Sequence, residues 1–493
     1  MQINYRIYPA SFGILATSVV VVVLFGGFFS SDFDLYAIQR FLLVGILAGL
    51  TLVLLPRLIC NFQSLNGYRN ALGFCCLLLG AMSISGTSGG ALYGWVEPVM
   101  FGGFFILPIL LAAWLGRAGM TNVQSLAESF LYPLVVGCLL YGYVALIIYA
   151  GKMQEGEFRV IDYLPWGFNN IRYWSHIASW ALPLLPLAVF VGPLKRSGLW
   201  RLCVLIAGGL WWWVLILSSA RGSMVGLVAS VFFSVVLMGR QAFPWLKELL
   251  RHFSLGILFW LTLSLGLPAI LAGDAGTLSL DIDTGDSGRI PMFAEAFAMS
   301  MVHAPFGMGA QSWLTHELLT DSYQNASKFS HPHNMYLFWA AEYGWIFVFG
   351  VLGLVAVAFG KLLRKRAIVQ SGSNQEYALC LIAFTASVVA ALVHASVSAV
   401  FLAPASMLVG LFIITIFWML LGENKEAGNR TGKGTITRAI AALVVFTISL
   451  SSSGIWSYEV WQYHQAMLED KASFEDDRWA PRFWLHGNFP RAQ

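Results

Sequence analysis

Apolar residues in this chain fall into runs far longer than a soluble core helix needs, separated by short polar segments. Crossing a ~30 Å hydrocarbon layer takes about 20 helical residues. Thirteen runs meet that requirement, at about 9–30, 36–56, 70–91, 95–116, 126–150, 173–194, 199–219, 222–239, 253–272, 334–359, 377–399, 402–422 and 439–456. The pattern predicts an all-α polytopic membrane protein of about 13 transmembrane helices. The first run is long, lacks a small-residue cleavage site and leads at once into a second, so it reads as a retained span rather than a signal peptide.

The basic residues orient the bundle. With a cytoplasmic N-terminus, the inside segments hold 18 of the 29 Lys and Arg, among them Arg57, Arg117, Lys195, Arg240, Lys361, Arg364 and Lys433. Every inside loop then carries at least one, as the positive-inside rule requires. Residues 457–493 must follow as an outer tail after one transmembrane domain over 1–456, since no Gly/Ser linker or repeat divides the chain. The expected location is a bacterial inner membrane.

Composition agrees and excludes a soluble fold: of 493 residues 58% are hydrophobic and 11% charged, where soluble domains carry about a quarter. The net charge of +4 reflects inside loops meeting anionic membrane lipid and points to no nucleic-acid partner. All six cysteines lie in spans or on the cytoplasmic side, so no structural disulfide is expected.

Polar chemistry collects on the outer side, in loops at about 151–172 and 273–333. The second contains SGRIPMFAEAFAMSMVHAPFGMGAQSW, where Asp286 or Ser287 can cap a helix and Pro291 fits only its first turn. Ile290, Phe293, Phe297 and Met301 form one apolar stripe, predicting a short helix on the membrane surface or against the bundle. Gly307 and Gly309 read as a turn rather than a nucleotide loop. In SHPHNMYLFWAAEYGW, His331, His333 and Asn334 sit at the mouth of the tenth span, with Glu342 about two turns inside it. A carboxylate at that depth is costly unless paired or facing a wet cavity. Arg221, in LSSARGSMVGL, either snorkels to lipid phosphates or points into a cavity to bind an anion. His331 and His333 lack the nearby Cys or carboxylate partners that normally complete a metal shell, and no metal is expected. An imidazole acts as general base only where cations converge on the same pocket. Arg289, in the first turn of the loop helix, could address one phosphate together with free backbone N–H groups. Arg40, at the outer end of its helix, and Arg159, Asp162 and Arg172, in a loop rich in Tyr and Trp, are weaker candidates because aromatics crowd every membrane interface.

The order SSARG, SGRIPMFAEAF, PFGMGAQSW and HPHNMYLFWAAEYG resembles the superfamily of O-antigen ligases, O-antigen polymerases and protein O-oligosaccharyltransferases, closely over about 200–360. The resemblance implies a GT-C-like fold with short helices in a large periplasmic loop, and a glycosyltransferase without metal or cofactor. Such enzymes take a glycan from undecaprenyl diphosphate at the outer face. It assigns Arg221 and Arg289 to the diphosphate, and His333 to the acceptor hydroxyl as base. Gln311, His331, Asn334 and Glu342, with Arg40, Arg159 and Arg172, would bind or position substrate. The acceptor implied first is lipid A core; a pilin-like protein and the growing glycan are alternatives. A flippase or transporter is the reading from another class, disfavoured because the ionisable residues gather at one interface and no inverted repeat is visible.

Overall fold

The computed structural model describes residues 7–29, 32–60, 62–86, 91–116, 120–157, 163–168, 171–272, 288–370, 374–422, 435–473, 480–487 and 489. The chain is all-α, as expected. The first helices are α1 (Ile7–Phe25), α2 (Leu35–Cys60), α3 (Arg69–Gly86), α4 (Val96–Leu115), α5 (Met120–Gln154), α6 (Ile171–Ala181), α7 (Gly198–Leu217), α8 (Arg221–Met238), α9 (Phe243–Phe259) and α10 (Leu267–Ala272). The long loop contributes α11 (Arg289–Val302), α12 (Ser312–Thr315) and α13 (Asp321–Gln324). Then come α14 (Met335–Tyr343), α15 (Trp345–Gln370), α16 (Gln375–His394), α17 (Pro404–Leu421) and α18 (Thr435–Ser473).

Eleven helical stretches among the described residues are long and apolar enough to cross a membrane. The difference from thirteen has two causes. The eighth and ninth runs join without a loop, with only Gly239 at φ +59° and a single 3-10 turn between α8 and α9. The sixth run, 173–194, is a broken helix rather than a continuous one, because Pro183 and Pro186 cannot donate to the helical ladder. Backbone freed at membrane depth must find partners inside the protein, and it does. Trp180 O accepts from the Ser387 hydroxyl at 2.6 Å, Pro183 O from the Trp245 indole at 2.8 Å, and Ala188 O from the Trp200 indole at 2.9 Å.

Helix α17 forms the centre, with 94% of its span buried, and it touches α1, α2, α4, α5, α6, α15 and α16. Helix α8 packs along α16 through Gly222 and Gly226, a small-xxx-small pair that lets backbones approach closely. A Cβ on Gly226 would lie 2.5 Å from Ala390 O, and one on Gly222 2.9 Å from the His394 ring. The last span is also longer than expected: α18 runs unbroken to Ser473 and lays Trp456, Val460, Tyr463, His464 and Met467 against the bundle.

The tenth span likewise departs from expectation. It begins at Trp345, so Glu342 lies not inside it but in the last turn of α14, before the break at Gly344 (φ +86°). The Gly307–Gly309 turn threads against this break. Met308 N–H donates to Ala341 O at 2.8 Å and Gly309 N–H to Glu342 O at 3.0 Å. Any side chain at Gly344 would collide with Pro305 O, 2.3 Å from an ideal Cβ.

The loop helix α11 forms where predicted, with Pro291 in its first turn; Asp286 and Ser287 lie outside the described residues. Its apolar stripe is turned the other way from a core face. Ile290, Phe297 and Met301 are exposed, while Met292, Glu295, Ala296 and Met299 face α14. The exposed stripe is what a helix lying at a lipid interface presents. Glu295, wholly buried, clamps the following loop: its carboxylate accepts the Leu319 N–H at 2.7 Å, the His316 ring at 2.9 Å and the Thr320 hydroxyl. Burial alone would raise its pKa, but the bonds from Leu319, Thr320 and His316 outweigh it and hold the carboxyl below the usual range. This stabilisation is present above about pH 4.5 and fades as pH falls through the lowered value. Glu295→Ala is expected to cost about 3 kcal/mol, read as a lower unfolding midpoint and faster proteolysis around His316–Thr320; unchanged proteolysis would refute the clamp.

Candidate active site

The site residues gather where α6, α11 and α14 begin and α16 ends, on the face that carries the long loops. Asn334 starts α14 as its N-cap, its side-chain oxygen accepting the N–H groups of Tyr336 and Leu337 at 3.0 Å each, as a cap residue should. Met335 N–H donates to Ala395 O at 2.9 Å, which ties this turn to the end of α16. The chain enters the cap through His333 at φ +57°, a left-handed conformation that a non-glycine residue holds at a cost of about 1–3 kcal/mol. Among the described residues four non-glycines have positive φ: Tyr93, Ser219, Gln311 and His333. Three of these are, or lie two residues from, predicted site residues, the kind of clustering that accompanies function.

His331 and His333 are both buried, with ring centroids 4.4 Å apart. The His333 N–H donates to His331 Nδ1 at 3.2 Å, so neutral His331 carries its proton on Nε2. Arg172 Nη1 lies 3.4 Å from His333 Nε2. A guanidinium can only donate, so Nε2 offers its lone pair to that side; the contact is loose by hydrogen-bond standards. His333 Nδ1 is buried without a partner among the described residues. Burial, followed by His331 and the Arg172 and Arg289 charges, pushes His333 far below the ordinary imidazole value, and burial with Arg172 and Arg482 takes His331 down to about 3. Both rings are therefore neutral at physiological pH.

Two further histidines, unnoticed in the sequence, lie beneath this pair. His176, one turn into α6, bonds Ser398 at 2.7 Å and stacks edge-on to His394 at 5.1 Å. His394 bonds Ser179 at 2.8 Å, which continues to Ser223 at 2.7 Å. Gly222, next to Arg221, leaves the room that the His394 ring occupies. Arg221 stands exposed at the start of α8, and Arg289, half-buried at the start of α11, acts electrostatically on His333 and His394.

Other predicted residues serve as anchors. Arg40 is wholly buried and donates to Phe483 O at 2.8 Å, Leu402 O at 2.7 Å and Arg482 O at 3.1 Å. Gln311 (φ +64°) donates its backbone N–H to Glu342 at 3.1 Å and its amide to Tyr463 at 3.0 Å. Glu342 also accepts the Trp313 N–H at 3.1 Å and is paired with Arg482 at 2.6 Å. Arg159 and Asp162 lie outside the described residues. Below the cluster an apolar cavity of about 690 Å³ runs from Tyr336 and Ser396 toward Leu362 and Trp418, walled by Phe233, Val351 and Leu392 among others.

Residues 204–355 match the model of a family described as O-antigen ligase. That stretch is similar to the O-antigen ligase family. That segment holds Arg221, Arg289, Gln311, His331, His333, Asn334 and Glu342, so the resemblance seen in the motif order is borne out over the residues that carried it. Arg40, Arg172, His176, His394 and Arg482 are brought to the O-antigen ligase segment by flanking elements. A comparison with curated proteins finds no match.

Proposed function

We propose that the protein transfers an O-antigen-type glycan from undecaprenyl diphosphate to lipid A core at the periplasmic face of the inner membrane. The observation that carries this reading is the junction of two environments. The cationic and imidazole cluster lies beside the head of an apolar cavity flanked by α8, α15 and α16, and a polyprenyl diphosphate is an apolar chain with an anionic head. Lipid-exposed side chains such as Leu352, Val355 and Phe359 line that cavity, giving a long tail a lateral way in.

The chemistry follows from the groups present. The acceptor oxygen attacks the anomeric carbon while its proton passes to His333 Nε2. The bond from that carbon to the phosphate oxygen breaks, and the electron pair leaves with the diphosphate. Arg289, Arg172 and Arg221 meet the growing charge, a role guanidiniums fill bidentately without losing a proton. A single displacement inverts the anomeric centre. Before the donor binds, burial chiefly, then His331, Arg172 and Arg289, hold down the basicity of His333; a diphosphate that draws both guanidiniums relieves their part of it.

Lipopolysaccharide from a strain lacking the protein should lose its O-antigen ladder and keep its core. An unaltered ladder, with a pilin of lower mass instead, would exclude lipid A core as the acceptor.

A further inference from the structure

We infer that Arg482, in the segment after α18, is a positioning residue of the active centre, an inference that rests on the glycan-transfer reading. Residues 480–487 fold back into the loop face, and Arg482, Phe483, Trp484 and Leu485 are all buried there. Arg482 lies between two carboxylates that are themselves wholly buried. Its Nη2 donates to Glu342 at 2.6 and 2.7 Å and to Glu97 of α4 at 3.1 Å, and its Nε to Glu97 at 3.2 Å. The guanidinium also stands over the Phe338 ring, 4.9 Å from its centroid.

No other described cation bonds these two carboxylates. Arg40 is the nearest rival by burial, but its donors are spent on the Met100 sulfur and on carbonyls, two of them belonging to Arg482 and Phe483. The segment therefore supplies the counter-charge for Glu97 and Glu342 and the acceptors for Arg40 at the same time. An ion pair so buried is held by mutual satisfaction, and removal of one member leaves the others uncompensated.

The network reaches the chemistry through three strands of chain. Glu342, held by Arg482, accepts the N–H groups of Gln311 and Trp313, which places the loop between α11 and α14. Pro481 O accepts the Ser330 hydroxyl at 2.8 Å, one residue before His331. The same carbonyl faces the Tyr173 hydroxyl at 3.4 Å, one residue after Arg172. Arg482 and its neighbour thus hold the segments carrying the base, its histidine partner and one of the guanidiniums, while touching none of the reacting atoms.

The test uses the purified full-length protein with a polyprenyl-diphosphate glycan and its acceptor. Arg482→Gln should lower kcat at least about a hundredfold with donor KM within about threefold. Arg482→Lys, which keeps a cation between the two carboxylates, should recover part of that loss. Near-normal kcat in Arg482→Gln would overturn the inference, as would an Arg482→Lys protein that elutes and melts like the parent yet is as slow as Arg482→Gln. Placement is tested separately, without activity: Leu485→Cys should resist a membrane-impermeant maleimide that labels Leu318→Cys readily. Rapid labelling of Leu485→Cys would overturn it too. If even the parent transfers no glycan, the transfer reading fails, while the labelling still reports where the segment lies.

Discussion

Replacing His333 with alanine is expected to reduce turnover by about 10²–10⁴, the range over which a positioned general base contributes, with protein level and donor binding near normal. The backbone at this position favours a residue that tolerates positive φ, so His333→Asn is the companion variant that keeps the turn while removing the base. The pH profile sharpens the expectation. In the free protein His333 is held far below its ordinary value by burial, His331, Arg172 and Arg289, so it stays neutral as pH falls past about 6.5. The profile of kcat/KM, which reports the free protein, should show no acid limb from His333 above about pH 5. Once the diphosphate engages the guanidiniums, their share of the depression is relieved, so any acid limb of kcat should lie above that of kcat/KM. Unimpaired turnover in both variants would remove His333 from the mechanism.

Arg289→Ala is expected to lower turnover by about 10²–10³, as loss of a group that stabilises developing charge does, and to weaken donor binding as well. Its neighbourhood gives the reason. The guanidinium is half-buried at the start of α11 and its charge is felt at both His333 and His394, so water screens it less than a surface arginine. Arg289→Lys should recover donor binding more than rate, because a point charge cannot follow two phosphate oxygens as a planar fork does. A titration of donor against rate separates the two effects. Equal donor affinity in Arg289→Ala and the parent would place the diphosphate elsewhere.

Much of the fold was legible because bilayer physics writes itself into long apolar runs. The motif order led to the loop that the family match covers for the same reason that His331, His333 and Arg289 stand out: polar groups at the ends of apolar spans are costly and few. The failures have equally physical causes. The run 173–194 has the hydropathy of a span, but Pro183 and Pro186 break its ladder, and only indole and hydroxyl donors from α7, α9 and α16 make that tolerable. Glu342 looked buried in a membrane helix because nothing local announces that Gly344 ends α14; the reason lies in Pro305, which is distant in sequence. The stripe on α11 is no failure: it had the right period and faces outward, as the membrane-surface placement, one of the two expected, requires. His176 and His394 were visible as single polar residues in apolar runs, yet their meeting depends on a crossing of α6 and α16. Arg482 carried no signal at all, for its partners Glu97 and Glu342 stand 385 and 140 residues upstream.

The placement of residues 480–487 also sets a timetable. In chain order they come after every helix, so the buried Glu97 and Glu342 have no arginine between them while the spans are still being made and inserted. A partly synthesised bundle already possesses both histidines and the loop arginines, but not the clasp that aligns them. On the proposed reading, assembly of the bundle and readiness for chemistry become separate events.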